Sequence, residues 1–290
     1  MAEMNSEGNS GKLTSISTLE GLPGSVKQVG SITKYELLNY FASRRFLVLF
    51  LIAVLIAGLL TITVAIEGVL SFGSTPPAFY DAWYVGGYIS TYVVIFCAIF
   101  FGGDAISGEF QNKSGYFLIA KPVRRSAIYT GKYLGALIAS FAILGVFSAI
   151  TLANGVYYFG LVIPTQFSES LAFTLMWLVA ALGLTFFFSS LFKTSTFSIL
   201  VSSMLLFFGF FIISALLSGK AGIEPWFVLT YGSDIIGNAL NPSGYPAHII
   251  AKGATTTFNA TIPEGLAIMT VYFIATTVAG LFVFEKREFS

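Results

Sequence analysis

The residues able to do chemistry are few, and they do not gather into a catalytic set. Asp104 and Glu109 are close enough to share acid–base work. Both, however, stand at the end of an apolar run beside Lys113, Lys121, Arg124, Arg125 and Lys132, where charge pairing is the simpler use. The single histidine, His248, rules out a His cluster for a metal or a triad. The single cysteine, Cys97, allows neither an internal disulfide nor a CxxC site. Gly8-Asn9-Ser10-Gly11-Lys12-Leu13-Thr14 faintly echoes a phosphate loop. It lacks the magnesium-binding hydroxyl after the lysine, has Ser6 where the first glycine belongs, and follows no strand. The expectation is therefore no catalytic residues and no metal ligands.

The charge that is present concentrates in one place. Gly102 to Gly135 holds Asp104, Glu109, Lys113, Lys121, Arg124, Arg125 and Lys132 between two long apolar runs. Within it, Tyr116, Phe117, Leu118 and Ile119 form a short apolar cluster. Pro122 ends that cluster, because the residue before a proline resists helix. Ser126 can cap a new helix. The segment 109–121 reads as a short helix lying across one face of the membrane, with apolar side chains free to enter a groove on a partner and flanking charges to orient it.

Composition sets the medium. Of 290 residues, 56% are hydrophobic and 10% charged, with a mean hydropathy of +0.82. Soluble domains carry about 25% charge, so this chain belongs in lipid. A net charge of +1 offers no basic surface for nucleic acid. Thirty phenylalanines serve as bulky packing.

The elements follow in order. Residues 1–30 are rich in Ser, Gly, Asn and Thr and read as a disordered tail. Residues 31–45 form an amphipathic helix: Tyr35, Leu37, Leu38, Phe41 and Ala42 share one face, and Thr33, Glu36, Asn39, Tyr40 and Ser43 the other. It ends in Arg44-Arg45 and suits the membrane interface. The transmembrane domain, 46–290, contains six apolar runs near the ~20 residues a bilayer needs. They fall at about 46–66, 85–103, 133–159, 171–191, 197–217 and 265–284. Lys and Arg collect before the first run, between the second and third, between the fourth and fifth, and after the sixth. That alternation predicts an all-α, six-span protein with both termini cytoplasmic. The loop 104–132 is then cytoplasmic, and the outer segments are 67–84, 160–170 and the long 218–264. Asn259-Ala260-Thr261 is a glycosylation sequon on the outer side.

No charge falls well inside a run, although ion-coupled carriers usually need one there. Gly131 and Gly135, continued by Ala139, make a small-residue seam at the mouth of the third run. Internal packing is its simplest use, and a dimer seam the alternative.

The run ISGEFQNKSGYFLIAKPVRRSAIYTGKYLGA resembles the signature of ATP-binding-cassette (ABC) type-2 permeases. The matching positions are Gly108-Glu109, Gly115 with Phe117-Leu118-Ile119, Pro122-Val123, Arg125 and Gly131-Lys132. The lead-in helix and the six-span layout also fit. The specific part covers only the loop, and the layout covers residues 31 to 290. The chain departs at Gln111-Asn112-Lys113-Ser114-Gly115, where the family often has acidic residues and Gly-Thr; this puts the charge of the partner's groove in question. The resemblance implies the membrane subunit of an ABC transporter in the cell (plasma) membrane. It implies two cytoplasmic ABC ATPase subunits, which bind the ATP and magnesium, and a second permease subunit, making a homo- or heterodimer. Docking and coupling would fall to Glu109, Gly115, Tyr116, Phe117, Leu118, Ile119, Pro122, Arg124 and Arg125. Export is the expected direction, as for many relatives. A secondary carrier or channel, a non-transporting membrane assembly protein and an intramembrane enzyme are the competing readings. The substrate has no signature.

Overall fold

A backbone in hydrocarbon must satisfy its own hydrogen bonds, so each long apolar run folds as a helix. The computed structural model describes residues 25–84, 88–111, 124–241, 243–252 and 255–287. Among the described residues, six helices are long and apolar enough to cross a membrane: Arg44–Glu67, Ile89–Gln111, Arg125–Phe159, Thr165–Leu191, Ser195–Ala221 and Ile262–Lys286.

In chain order the helices among the described residues are α1 Ser25–Ala42, α2 Arg44–Glu67, α3 Val69–Phe72, α4 Pro76–Tyr84, α5 Tyr88–Gly102 and α6 Ser107–Gln111. Then come α7 Arg125–Phe159 and α8 Thr165–Leu191. The fifth span joins α9 Ser195–Met204 to α10 Phe210–Leu216, with π turns at Leu205–Gly209 and Leu217–Ala221. Short helices α11 Leu229–Ser233 and α12 Ile235–Leu240 follow. One antiparallel hairpin, β1 Ile249–Lys252 with β2 Thr255–Phe258, leads into α13 Ile262–Lys286.

The central helix is α8, packed against α5, α7, α12 and α13. Trp177, Leu178, Ala180, Ala181, Leu182 and Phe186 on it are wholly buried. The long segment after the fifth span has structure of its own. Leu229, Ile235, Ile236 and Leu240 bury completely, and the hydroxyl of Ser170 on α8 donates to the Ile236 carbonyl at 2.8 Å. The head of α13 carries a capping box between Thr261 and Glu264.

Several details differ from the sequence reading, three of them with consequences for the site. The lead-in helix begins at Ser25, so the expected tail yields residues 25–30 to it; Gln28 is buried against α7, which gives this turn a packing reason. The third span begins at Arg125 rather than 133, because Ala127, Ile128 and Tyr129 continue its buried face. The fifth span is interrupted by its two π turns, which no apolar period announces.

Candidate functional site

The loop between the second and third spans is anchored at both flanks. Gly115, Tyr116, Phe117, Leu118, Ile119 and Pro122 lie outside the described residues. Their neighbours on either side are fixed in detail.

On the descending flank, the chain turns after Gly102 and forms α6. The Ser189 hydroxyl on α8 accepts from the backbone N–H groups of Ile106 and Ser107 at 2.9 and 3.0 Å, satisfying donors that a helix start leaves open. Gln111 repays the service: its Oε1 accepts from the Ser195 N–H at 2.8 Å, at the start of α9. The end of the second span is thus held to the connection between the fourth and fifth.

On the ascending flank, Arg124 lies in extended backbone before α7, and its N–H donates to Gln28 Oε1 at 3.3 Å. Arg125 donates to the Glu285 and Arg287 carbonyls at 2.8 Å each. Arg287 in turn donates to the Ser190 and Phe192 carbonyls at 2.7 and 3.0 Å and stacks 4.3 Å from the centre of the Phe110 ring. A cation on the last carbonyls of a helix meets its unsatisfied acceptors and the negative end of its dipole. The ends of α8 and α13 are both closed this way.

Lys132 joins the flanks. It is buried to 5% exposure, and its Nζ meets Glu36 Oε1 at 2.7 Å and Glu109 Oε1 at 2.9 Å. One ammonium therefore ties α1, α6 and α7 together. Arg45 pairs with Asp104 beside it. Asp104 and Glu109 are accordingly divided between different cations and form no acid–base pair. Of the basic residues near it in sequence, Arg125 reaches the end of α13, and it is Lys132 that pairs with Glu109. The sequence reading placed Lys132 in the loop. In the fold it is a buried charge at the head of a span, neutralised by carboxylates from two other elements.

Gly131 and Gly135 face α1. A Cβ on Gly131 would lie 2.7 Å from Ile32 Cγ2, and one on Gly135 2.9 Å from Glu36 Cβ. Ala139 is wholly buried on the same helix. The seam is therefore occupied by the chain's own lead-in helix. On α1 two polar side chains turn inward beside Ile32 and Leu37: Glu36 and Gln28 are buried, while Tyr35, Leu38 and Phe41 are exposed. Glu36 is the member of the Lys132 clasp that sequence reasoning missed. Its only signal was an acidic residue on the polar face of a helix leading to a basic loop.

A family model for ABC-2 family transporter proteins matches residues 31–289. No individually curated protein matches the chain. The matched region takes in α1 from residue 31 onward, the whole anchored loop and all six spans. The family has no catalytic activity of its own; ATP binding lies in a separate ATPase, so ATPase partners are implied. The chain belongs to the ABC-2 family and is a multi-pass membrane permease.

Proposed function

We propose that this permease is the membrane half of an exporter in the cell membrane, driven by two ATPase subunits that dock on the 104–132 loop. Its termini and that loop face the cytoplasm, and a second permease subunit completes the pathway. The Lys132 clasp carries the reading. A force on 112–123 is delivered to Glu109 on one side and to Arg124 through Lys132 on the other. Because one ammonium binds α1, α6 and α7, the lead-in helix and two spans respond as one body. The Lys/Arg asymmetry supports the orientation. An ion-coupled carrier needs an ionisable group at mid-depth, whereas Lys132 sits at a helix head and is already paired.

Phe117 and Leu118 are the proposed anchors in the ATPase groove. Burying such a side chain contributes about 1.5–3 kcal/mol. Phe117→Ala with Leu118→Ala should weaken ATPase association by well over tenfold, since about 1.4 kcal/mol is tenfold. The membrane domain should melt unchanged. A pull-down beside a thermal melt separates docking from folding. A stable double variant that retains its ATPase normally would falsify the docking role.

A further inference from the structure

At the end opposite the Lys132 clasp, three side chains far apart in sequence converge. Glu224 follows the last π turn of the fifth span, His248 precedes β1, and Glu264 opens α13. One ligand atom from each lies within 4.8 Å of the other two.

The imidazole is oriented by its Nδ1, 2.9 Å from the Asn259 carbonyl oxygen. A carbonyl only accepts, so Nδ1 carries the hydrogen. In the neutral ring that leaves Nε2 with a bare lone pair. Nε2 faces Oε2 of Glu224 at 3.6 Å. That carboxylate is fixed in turn, because the Tyr231 hydroxyl donates to its Oε1 at 2.8 Å. Lone pair therefore faces lone pair, a repulsive arrangement unless a cation lies between. On the other side, Glu264 Oε2 stands 3.7 Å from Nδ1 and is anchored by the Thr261 N–H at 2.9 Å.

The 3.6 Å between Nε2 and Glu224 Oε2 suits a small metal ion held by both, and a Glu264 carboxylate oxygen lies within 4.8 Å of the Glu224 carboxylate and of a ring nitrogen, near enough to join them. With zinc–nitrogen and zinc–oxygen distances near 2.0–2.2 Å, two tetrahedral ligands stand about 3.3–3.6 Å apart. A ligating histidine normally donates its other ring N–H to a carbonyl or carboxylate, as His248 does to Asn259. The three side chains are 27–40% exposed, so an ion can reach them from water, and water can complete its shell. We propose that Glu224, His248 and Glu264 bind a divalent transition-metal ion of the zinc type. The ion would tie the exit of the fifth span, the hairpin and the head of the sixth span into one unit.

The test uses the full chain in lipid nanodiscs, with any affinity tag cleaved and metals removed by chelator. Calorimetric titration with Zn2+ should show one equivalent bound per chain, together with a raised melting temperature. His248→Gln and Glu224→Gln should each weaken binding about tenfold or more. Both should still melt cooperatively in EDTA, which keeps loss of binding distinct from loss of fold. Titration with Co2+ should produce visible absorption bands in the wild type that are absent in His248→Gln. Zn2+ uptake that is absent in the wild type, or unchanged in His248→Gln, overturns the site. A melt that depends on pH in EDTA without Zn2+ uptake would assign the gap to a proton and overturn it equally.

Discussion

Lys132 stands between two carboxylates, so the clasp carries one cation against two anions. Its side chain is 6% exposed, Glu36 11% and Glu109 21%. Removing one member of a buried ionic group strands the others, which costs about 3–5 kcal/mol, whereas removing all members together is often neutral. Lys132→Met should therefore destabilise strongly. Adding Glu36→Gln and Glu109→Gln to it should recover most of the loss. A double-mutant cycle by thermal unfolding reads this coupling. If Lys132→Met cost as much in the doubly neutralised background as in the wild type, the three side chains would not act as a unit. A second single-residue effect comes from Asp234, which opens onto a cavity of about 260 Å³ lined also by Thr91, Phe207, Ser233 and Asn238. Asp234 is exposed into that cavity, yet the protein massed around it displaces much of the surrounding bulk water and pushes the carboxyl up, to about 7. A raised carboxyl favours the protonated form in the folded state. Its stabilising contribution is full below the ordinary carboxylate range and is lost as pH rises toward about 7. Melting temperatures followed from mildly acidic to neutral pH should fall less steeply in Asp234→Asn than in the wild type. Equal slopes would show that Asp234 titrates as it does in the unfolded chain.

Among the elements, α1 departs most from what an amphipathic pattern suggests in a soluble protein. Gln28 and Glu36 turn inward beside Ile32 and Leu37, while Tyr35, Leu38 and Phe41 point outward, where the headgroup and acyl boundary would cover them. The close approach rests on glycines with no room for a side chain. A Cβ at Gly135 already collides with Glu36, so Gly135→Leu should too, whereas a Cβ at Gly145 on the same helix meets nothing within 4 Å. Overpacking costs about 1–3 kcal/mol, so the first variant should loosen α1 to limited proteolysis and the second should not. Equal protease sensitivity would mean that α1 is held by its ends alone. The periodicity of α1 was legible in the sequence, but which face turns inward was not, because a two-faced helix does not name its partner. The six spans were legible because lipid demands long apolar helices. The Glu36–Lys132 pair was not, because its members are 96 residues apart and each looks like an ordinary interfacial charge. Glu224, His248 and Glu264 escaped notice for the same reason: one histidine in a sequence forms no motif. The π turns leave hydrophobic composition unchanged and so leave no trace in it.

At the scale of the whole molecule, the six spans divide by burial. The second, third and fourth are 67%, 44% and 56% buried inside the chain, and the first, fifth and sixth only 22%, 17% and 17%. The outer three therefore carry the surface available to lipid and to the second permease subunit proposed above. The proposed orientation rests on where the cations lie. Arg44 and Arg45 precede the first span, Arg124 and Arg125 the third, Lys193 stands between the fourth and fifth, and Lys286 and Arg287 close the sixth. All belong to one end of the bundle, since Arg45 pairs with Asp104 and Arg125 reaches the carbonyls of Glu285 and Arg287. Lys220 and Lys252 are at the other. On the orientation proposed above, this imbalance is what would keep the basic end in the cytoplasm. Cys97 is buried, and replacing it with alanine gives a background without thiols. Ser126→Cys, at the start of α7, should then react with a membrane-impermeant maleimide only after the membrane is opened. Ser243→Cys, in the exposed turn after α12, should react in intact cells. Labelling of both from one side would break the six-span arrangement. Labelling from opposite sides but in the reverse sense would keep the spans and place the docking loop outside, beyond the reach of any cytoplasmic ATPase.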